Sequence, residues 1–257
     1  MATAMIAGLI RAGHPAASIL VIEPNPAQRE QLEATLGVRT SPQADERLSG
    51  AGVVVWAVKP QVLHEALDQA RGHLGPALHL SIAAGLPLNT LGAWLQSERV
   101  VRAMPNTAAL VGAGVTGMVA AAGVSDADRA LAADVLAATG HCFWVESDER
   151  LNAVTAVSGS GPGYVFHFLE AFQRAAEAVG FDPETARDLV LRTTAGAVEQ
   201  AKVGDPFGTL RTRVTSKRGT TEAALTVLDE RATSQALRDA VLAAYARAGE
   251  LSQELSG

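Results

Sequence analysis

The first half of the chain alternates between short apolar runs and amphipathic segments. The longest apolar run without polar alternation is VVVWAV, at residues 53–58. Such a run is typical of a strand that is buried on both faces of a parallel sheet. By the same criterion, further short strands are predicted at residues 19–22, 78–82, 100–101, 115–118 and 142–145.

Helices are predicted between these strands, because apolar residues there recur at helical spacing. The chain opens with such a segment, at residues 1–12. Others are predicted at residues 26–36, 61–74 and 125–138, the last with Ser125 as its N-cap. Strands and helices that alternate at this spacing predict a doubly wound α/β fold with a parallel sheet.

After the last predicted strand the alternation stops and the pattern is helical to the end of the chain. Pro162 stands in the first turn of one predicted helix, and the last helix starts near Ser234. We therefore predict two domains, a nucleotide-binding domain at residues 1–146 and a helical domain at residues 147–257. Because alanine-rich helical faces often complete their core against a second copy, a homodimer is expected.

Composition narrows the class of protein. The 257 residues carry a formal net charge of −6, which argues against nucleic acid or an anionic membrane as the main partner. No apolar run approaches the length of a membrane span, and the N-terminus lacks the pattern of a signal peptide. The single cysteine, Cys142, cannot form an intramolecular disulfide. A cytoplasmic protein without a metal site is expected.

Polar residues follow several predicted strands, where doubly wound folds bind their ligands. Glu23 is placed to accept hydrogen bonds from a ribose 2′-hydroxyl, with a solvated strand-end carboxylate as the alternative. Lys59 follows the most apolar strand, and Pro60 fixes the backbone there; an ordinary surface lysine is the alternative. Asn106 adds an amide group after another strand.

A second polar stretch, VTSKRGTT at residues 214–221, lies between two predicted helices and opens the second of them. The start of a helix offers free backbone N–H groups and a partial positive charge, which together favour an anion. An ordinary helix cap is the alternative. The glycine-rich stretch SGSGP at residues 158–162, together with a nucleotide-binding first half, favours the anion site.

Taken in order, five motifs resemble those of the pyrroline-5-carboxylate reductases, which catalyse the last step of proline synthesis. The resemblance covers nearly the whole chain, and its motifs are AVKP at 57–60, SIAAG at 81–85, RAMPNT at 102–107, SGSGP at 158–162 and VTSxxGTT at 214–221. Lys217 and Arg218 depart from the pattern, because family members usually carry Pro-Gly there. Asp148 aligns with a glutamate that is frequent in the family.

This resemblance implies a Rossmann-like domain that binds NADPH or NADH, followed by an all-helical domain for dimerisation and substrate binding. The implied substrate is a small cyclic imine with a carboxylate. The assembly would be a homodimer or a higher oligomer of dimers. Glu23 near the ribose predicts a preference for NADH, because a 2′-phosphate would meet a like charge there.

The resemblance also implies the residues of the site. The cofactor-binding residues would be Met1, Ala2, Glu23, Asn25, Ala57, Val58, Lys59, Pro60, Ala84 and Asn106. The substrate-binding residues would be Asp148, Ser216, Gly219, Thr220 and Thr221. The backbone N–H groups of the last four would hold the carboxylate, and the hydroxyl of Thr221 would act as the catalytic group on the ring nitrogen.

One feature of a dinucleotide fold is missing. Such folds open with a strand and a glycine-rich turn before the first helix, and here only the helix, matched by Met1-Ala2, is present. Either Met1 is an internal methionine or the phosphate loop has been lost, and the first is expected. The sheet should accordingly lack its first strand.

Two other functions stay open at this point. A β-hydroxyacid dehydrogenase type of enzyme would need a catalytic lysine in the second half, where only Lys202 and Lys217 are available and neither stands in a suitable motif. A non-catalytic helical dimer with a degenerate nucleotide domain would be favoured if the full chain failed to bind NAD(P)H.

Overall fold

The computed structural model describes residues 1–255. Its strands are β1 Leu20–Ile22, β2 Arg39–Ser41, β3 Val53–Trp56, β4 Leu78–Ser81, β5 Val100–Met104, β6 Gly114–Ala120 and β7 Gly140–Trp144. Its helices are α1 Ala2–Arg11, α2 Pro26–Leu36, α3 Pro60–Ala70, α4 Leu88–Leu95, α5 Asp126–Ala137, α6 Asp148–Val154, α7 Gly161–Ala178, α8 Pro183–Ala201, α9 Phe207–Arg213, α10 Thr220–Glu230 and α11 Thr233–Glu254. The predicted α/β class, with helices throughout the last part, is confirmed.

The strands form two sheets. β1 pairs with β2, and the larger sheet has the order β3-β4-β5-β6-β7. β3, β4 and β5 are parallel, but β6 is antiparallel to β5, and β7 is parallel to β6. The prediction of a parallel sheet throughout is therefore wrong for β6 and β7. Residues 105–113, which join β5 to β6, are fewer than the dozen or so that a parallel crossover requires.

The interruption of the sheet lies between β1 and β3. Leu20 and Ile22 of β1 pack against the same core as Val54 of β3, a core that contains the fully buried Leu63. No backbone ladder joins the two strands within residues 1–255. A sheet that lacks one strand was predicted, and this arrangement agrees with it.

Most element boundaries were predicted to within a few residues. The apolar run at 53–58 is shorter as a strand, because β3 ends at Trp56 and leaves Ala57 and Val58 in the following loop. β2 and α4 were not predicted: β2 has the polar sequence Arg-Thr-Ser, and α4 follows Pro87 without a side-chain cap. β2 carries no local apolar signal, whereas α4 has Leu88, Leu91 and Leu95 at helical spacing and was missed despite it.

The chain divides into two compact units. One contains residues 1–160 and the end of α11 from residue 244, and the other contains residues 161–243. The predicted domain boundary between residues 146 and 147 stays a prediction. None of the helices in the described part of the chain is both long enough and apolar enough to span a membrane.

Candidate cofactor cleft and substrate loop

A cleft of about 290 Å³ opens where β3, β4 and β5 end, within the unit that contains the sheet. Its lining residues are Met1, Ala57, Val58, Lys59, Pro60, Ile82, Ala83, Ala84, Met104 and Pro105. Six of the predicted cofactor residues thus come together: Met1, Ala84 and the run 57–60. The carboxyl ends of parallel strands meet at one edge of a sheet, and this placement follows from that rule.

The chemistry of the cleft suits a nicotinamide dinucleotide. Its walls are mostly small or apolar side chains, and among the lining side chains Lys59 carries a positive charge. At the start of α1, the N–H groups of Ala2, Thr3 and Ala4 have no backbone acceptor among the described residues. Free N–H groups at a helix start favour phosphate oxygens. The residues present therefore fit both parts of a nicotinamide dinucleotide, the ring and the anionic phosphate linker.

Glu23 and Asn25 lie just beyond the end of β1 and do not line the cleft. The Glu23 carboxylate accepts a hydrogen bond from the Asn25 N–H at 2.8 Å. The Asn25 side chain caps α2, because its Oδ1 accepts from the N–H groups of Ala27 and Gln28. Arg29 donates to the Glu23 carbonyl at 2.8 Å, a contact that sequence reasoning missed. Asn25 thus has a structural role that its position before Pro26 could have indicated.

Asn106 braces the loop after β5. Its Nδ2 donates to the Ser158 carbonyl at 3.1 Å, and its Oδ1 accepts from the Val115 N–H at 3.1 Å. The residue is 9% exposed. Through these two bonds Asn106 joins this loop to the SGSGP stretch, and its predicted contact with the cofactor stays a prediction.

The loop between α9 and α10, in the other unit, is a tight turn at residues 216–219. The Gly219 N–H donates to the Ser216 carbonyl at 2.9 Å. Arg218, third in the turn, has φ +62°, a left-handed conformation that favours glycine. A Cβ at Gly219 would collide with the hydroxyl oxygen of Ser216 and would lie 2.9 Å from its backbone carbonyl oxygen, which cannot rotate away. Gly219 is therefore required for space, and Arg218 adopts a conformation that a side chain disfavours.

The free donors of this loop differ from those predicted. The Gly219 N–H donates to the Ser216 carbonyl inside the turn, so its predicted bond to the substrate carboxylate stays a prediction that would require this donor to be released. The N–H groups of Thr220, Thr221 and Glu222 begin α10 and have no backbone acceptor among the described residues. Glu222 was missed: its carboxylate accepts from the Arg218 N–H at 2.7 Å. A glutamate in the first helical turn is the signal of such a cap.

Asp148, the remaining predicted substrate residue, belongs to the unit that contains the sheet. Its carboxylate pairs with Arg102 at 2.7 Å and accepts from the Leu88 N–H at 3.0 Å. Both carboxylate oxygens are therefore occupied by protein groups.

The histidine that the fold buries is structural. His79, on β4, is 4% exposed, and its Nδ1 accepts from the Trp56 indole N–H at 3.3 Å. Burial, together with the nearby Arg99 charge, lowers the pKa of His79 to about 4. The ring is thus neutral at physiological pH, as expected for a residue without a catalytic role.

Comparison with known proteins gives consistent matches over the whole chain. The family model described as pyrroline-5-carboxylate reductase dimerisation matches residues 148–251, and the one described as NADP oxidoreductase, coenzyme F420-dependent, matches residues 1–85. A pyrroline-5-carboxylate reductase of Haemophilus influenzae is 40% identical over 255 residues, which cover 98% of this chain and 94% of the relative.

Solved structures agree. A pyrroline-5-carboxylate reductase from Coxiella burnetii superposes with a TM-score of 0.90 at 35% identity, covering 98% of this chain and 94% of that one. The Plasmodium falciparum pyrroline carboxylate reductase with NADP bound has a TM-score of 0.83 at 26% identity, with 97% and 95% coverage. Together with the cleft and the loop at the start of α10, these matches show that the chain belongs to the pyrroline-5-carboxylate reductase family.

Proposed function

We propose that this chain reduces 1-pyrroline-5-carboxylate to proline with a hydride from NADPH or NADH. The observation that carries the proposal is the start of α10, where three free N–H groups adjoin a threonine hydroxyl without a partner among the described residues. Family membership supports the same reaction.

The substrate carboxylate would bind the N–H groups of Thr220, Thr221 and Glu222, where the helix dipole favours negative charge. Ser216 would lie at the rim, because its hydroxyl faces Gly219. Thr221 is the middle residue of these three, so its hydroxyl can reach the ring of a ligand whose carboxylate is held there.

Reduction converts the C=N bond into an amine. When bound, NAD(P)H supplies the hydride, which adds to the imine carbon. The nitrogen must gain one proton, and the Thr221 hydroxyl would hydrogen-bond this nitrogen while solvent supplies the proton. Because a protonated imine accepts hydride more readily, no histidine is required. Most of the rate would come from holding the two reactants in contact.

The dinucleotide would bind the cleft, with its ring against Ala57, Val58 and Ala84 and its phosphates at the start of α1. We further propose that NADH is preferred, on the position of Glu23 beyond β1.

A homodimer is supported by the match of residues 148–251 to a dimerisation family. A higher oligomer built from such dimers is a further proposal. A cytoplasmic location is also proposed, supported by a composition with a single cysteine.

The test is an assay of the full chain for NADH or NADPH oxidation that depends on pyrroline-5-carboxylate, with proline measured as product. We expect the amount of proline formed to equal the amount of cofactor oxidised. A folded protein that binds neither cofactor and forms no proline would overturn the proposal and favour a non-catalytic helical dimer.

A further inference from the structure

Arg102 forms a buried ion pair that the proposed chemistry does not use. This residue of β5 is 1% exposed, and its Nη1 donates to Asp148 Oδ1 at 2.7 Å. Its Nη2 donates to Asn152 Oδ1 at 3.3 Å. A buried guanidinium requires such partners, because its desolvation is otherwise strongly unfavourable. Asp148 and Asn152 stand four residues apart on α6, so one helix face satisfies the cation.

The second oxygen of Asp148 completes another element. Asp148 Oδ2 accepts from the Leu88 N–H at 3.0 Å, across 60 residues of sequence. Leu88 is the first residue of α4, and its N-cap, Pro87, provides no side-chain cap. The carboxylate therefore caps α4 from outside the helix, where the helix dipole also favours its charge.

The segment that leads into α4 forms part of the wall of the cleft. Ile82, Ala83 and Ala84 line it and lead into α4, while Met104 lines it at the end of the strand that carries Arg102. Neither Arg102 nor Asp148 lines the cleft itself. The ion pair and the cap thus join two segments of the cleft wall without reaching its interior.

The other side of the same segment is also fixed. Gly85 has φ +80°, and a Cβ there would contact Leu255 and Leu251, at the end of α11. Ser252 lies between these two leucines in sequence, and its hydroxyl is 3.4 Å from Asn152 Oδ1. The loop at residues 82–88 is therefore held by Asp148 at one point and by the end of α11 at another.

We propose that Asp148 is a positioning residue for the dinucleotide, acting through the loop at residues 82–88, and that it does not contact the substrate. This inference rests on the proposed function, since it takes the cleft as the cofactor site. It assigns Asp148 a different role from the substrate contact that family resemblance implies. The two roles predict different kinetic signatures.

The experiment replaces Asp148 with asparagine in the full chain, which removes the charge and keeps a similar shape. We expect the Kd for NADH, measured by quenching of protein fluorescence, to rise about five- to tenfold. The KM for pyrroline-5-carboxylate at saturating NADH should change less than about twofold, because the substrate loop is untouched. Asp148→Glu, which restores the charge, should recover part of the NADH affinity.

The matched control is Asp128→Asn. Asp128 also pairs with an arginine, Arg99, at 2.7 Å in the same unit, but its hydrogen-bond partners, Arg99 and Ser125, lie outside the loop at residues 82–88. The Asp128→Asn variant should lose thermal stability, as Asp148→Asn does, and should keep wild-type NADH affinity. Amide exchange at Leu88 should accelerate in Asp148→Asn and not in Asp128→Asn. If Asp148→Asn does not fold, Leu88→Pro removes the N–H donor, leaves the ion pair in place and should weaken NADH binding.

Two results would overturn the inference. A raised KM for pyrroline-5-carboxylate with unchanged NADH affinity would place Asp148 on the substrate. Equal NADH affinity in the wild type, Asp148→Asn and Leu88→Pro would show that the loop needs no such restraint. Neither result is confused with failure of the proposed function, which would appear as a wild-type chain without reductase activity.

Discussion

Thr221 carries the most specific prediction at the scale of single residues. Its hydroxyl has no partner among the described residues, although its backbone N–H lies in the proposed carboxylate site. Thr221→Ala keeps the N–H groups and removes the hydroxyl, so binding should persist and kcat should fall. A loss of roughly 1–3 kcal/mol, about ten- to a hundredfold in kcat, is expected from steady-state kinetics.

Thr221→Ser should recover most of this activity, because it restores the hydroxyl. Thr226→Ala is the matched control in the same helix: the Thr226 hydroxyl is already bonded to the Glu222 carbonyl at 3.0 Å, so kcat should stay near wild type. If Thr221→Ala retained wild-type turnover, the proposed role of the hydroxyl would be wrong, while the carboxylate site would still stand.

Arg218 provides a second prediction, because a residue with a side chain occupies a left-handed position in the turn. Arg218→Gly should relieve this strain, and the net gain in free energy of unfolding should be about 0.5–1 kcal/mol. Lys217→Gly is the control: Lys217 lacks a positive φ, so glycine there should destabilise by a similar amount. Urea unfolding at one protein concentration measures both. Equal effects of the two variants would contradict the assignment of strain.

Glu23 predicts the choice of cofactor. A 2′-phosphate near its carboxylate would meet a like charge, at a cost of about 1 kcal/mol. We expect a kcat/KM several-fold higher with NADH than with NADPH, and a smaller ratio in Glu23→Gln. Glu30→Gln, an exposed position on α2, should leave the ratio unchanged. A higher kcat/KM with NADPH in the wild type would show that Glu23 does not face the ribose.

At the scale of elements, the buried His79 on β4 makes the free energy of unfolding depend on pH. Its pKa of about 4 in the folded protein lies below the ordinary value of 6.5. The contribution of the neutral ring to the free energy of unfolding is therefore fully present above pH 6.5 and is lost as the pH falls towards 4. The reason is that the unfolded chain takes up the proton at a higher pH than the folded chain does. The loss amounts to about 3 kcal/mol in free energy of unfolding.

Urea unfolding between pH 7 and pH 4.5 tests this link. His79→Gln, which keeps an acceptor for the Trp56 indole, should flatten the dependence on pH relative to the wild type. His141→Gln, at an exposed position on β7, should leave the wild-type slope unchanged. Parallel slopes for the wild type and His79→Gln would contradict the prediction.

Elements were predictable where a local pattern determined them. The apolar runs of β3 and β4 and the caps of α2 and α5 are visible in sequence, and the structure contains these elements. The reversal of β6 depends on the length of one connection relative to the whole sheet, which periodicity does not encode. β2 is stabilised by pairing with β1, so its polar residues gave no signal of their own.

The residues of the site also divide into those that local sequence could predict and those that it could not. Loops at strand ends and at the start of α10 could be located, because helix ends and strand ends have fixed chemistry. Which N–H groups remain free could not be predicted. That depends on a single bond, from the Gly219 N–H to the Ser216 carbonyl, and on the reach of the Glu222 side chain. The engagement of Asp148 with Arg102 and Leu88 joins distant segments, and only tertiary structure brings them together.

At the scale of the whole molecule, the helical unit has only a small core of its own. Within residues 161–243, the buried apolar residues are Ala176, Ala186 and Val190. Large apolar side chains of the same unit are exposed, among them Phe166, Phe168, Phe172, Leu237 and Leu242. A unit with this little buried surface is expected to gain stability from a second copy.

Phe168→Asp tests whether this surface is the dimer interface. Phe168 is 56% exposed in the single chain, and the aspartate would be buried without a partner in a dimer. In a two-fold interface both copies carry the change, and an unpaired buried charge costs about 3–5 kcal/mol, so the dimer Kd should rise at least a hundredfold. Light scattering after size exclusion should then show monomer. Val111→Asp, at an 80% exposed site outside the segment matched to dimerisation, should remain dimeric. A dimer that persists in Phe168→Asp while Val111→Asp dissociates would place the interface elsewhere.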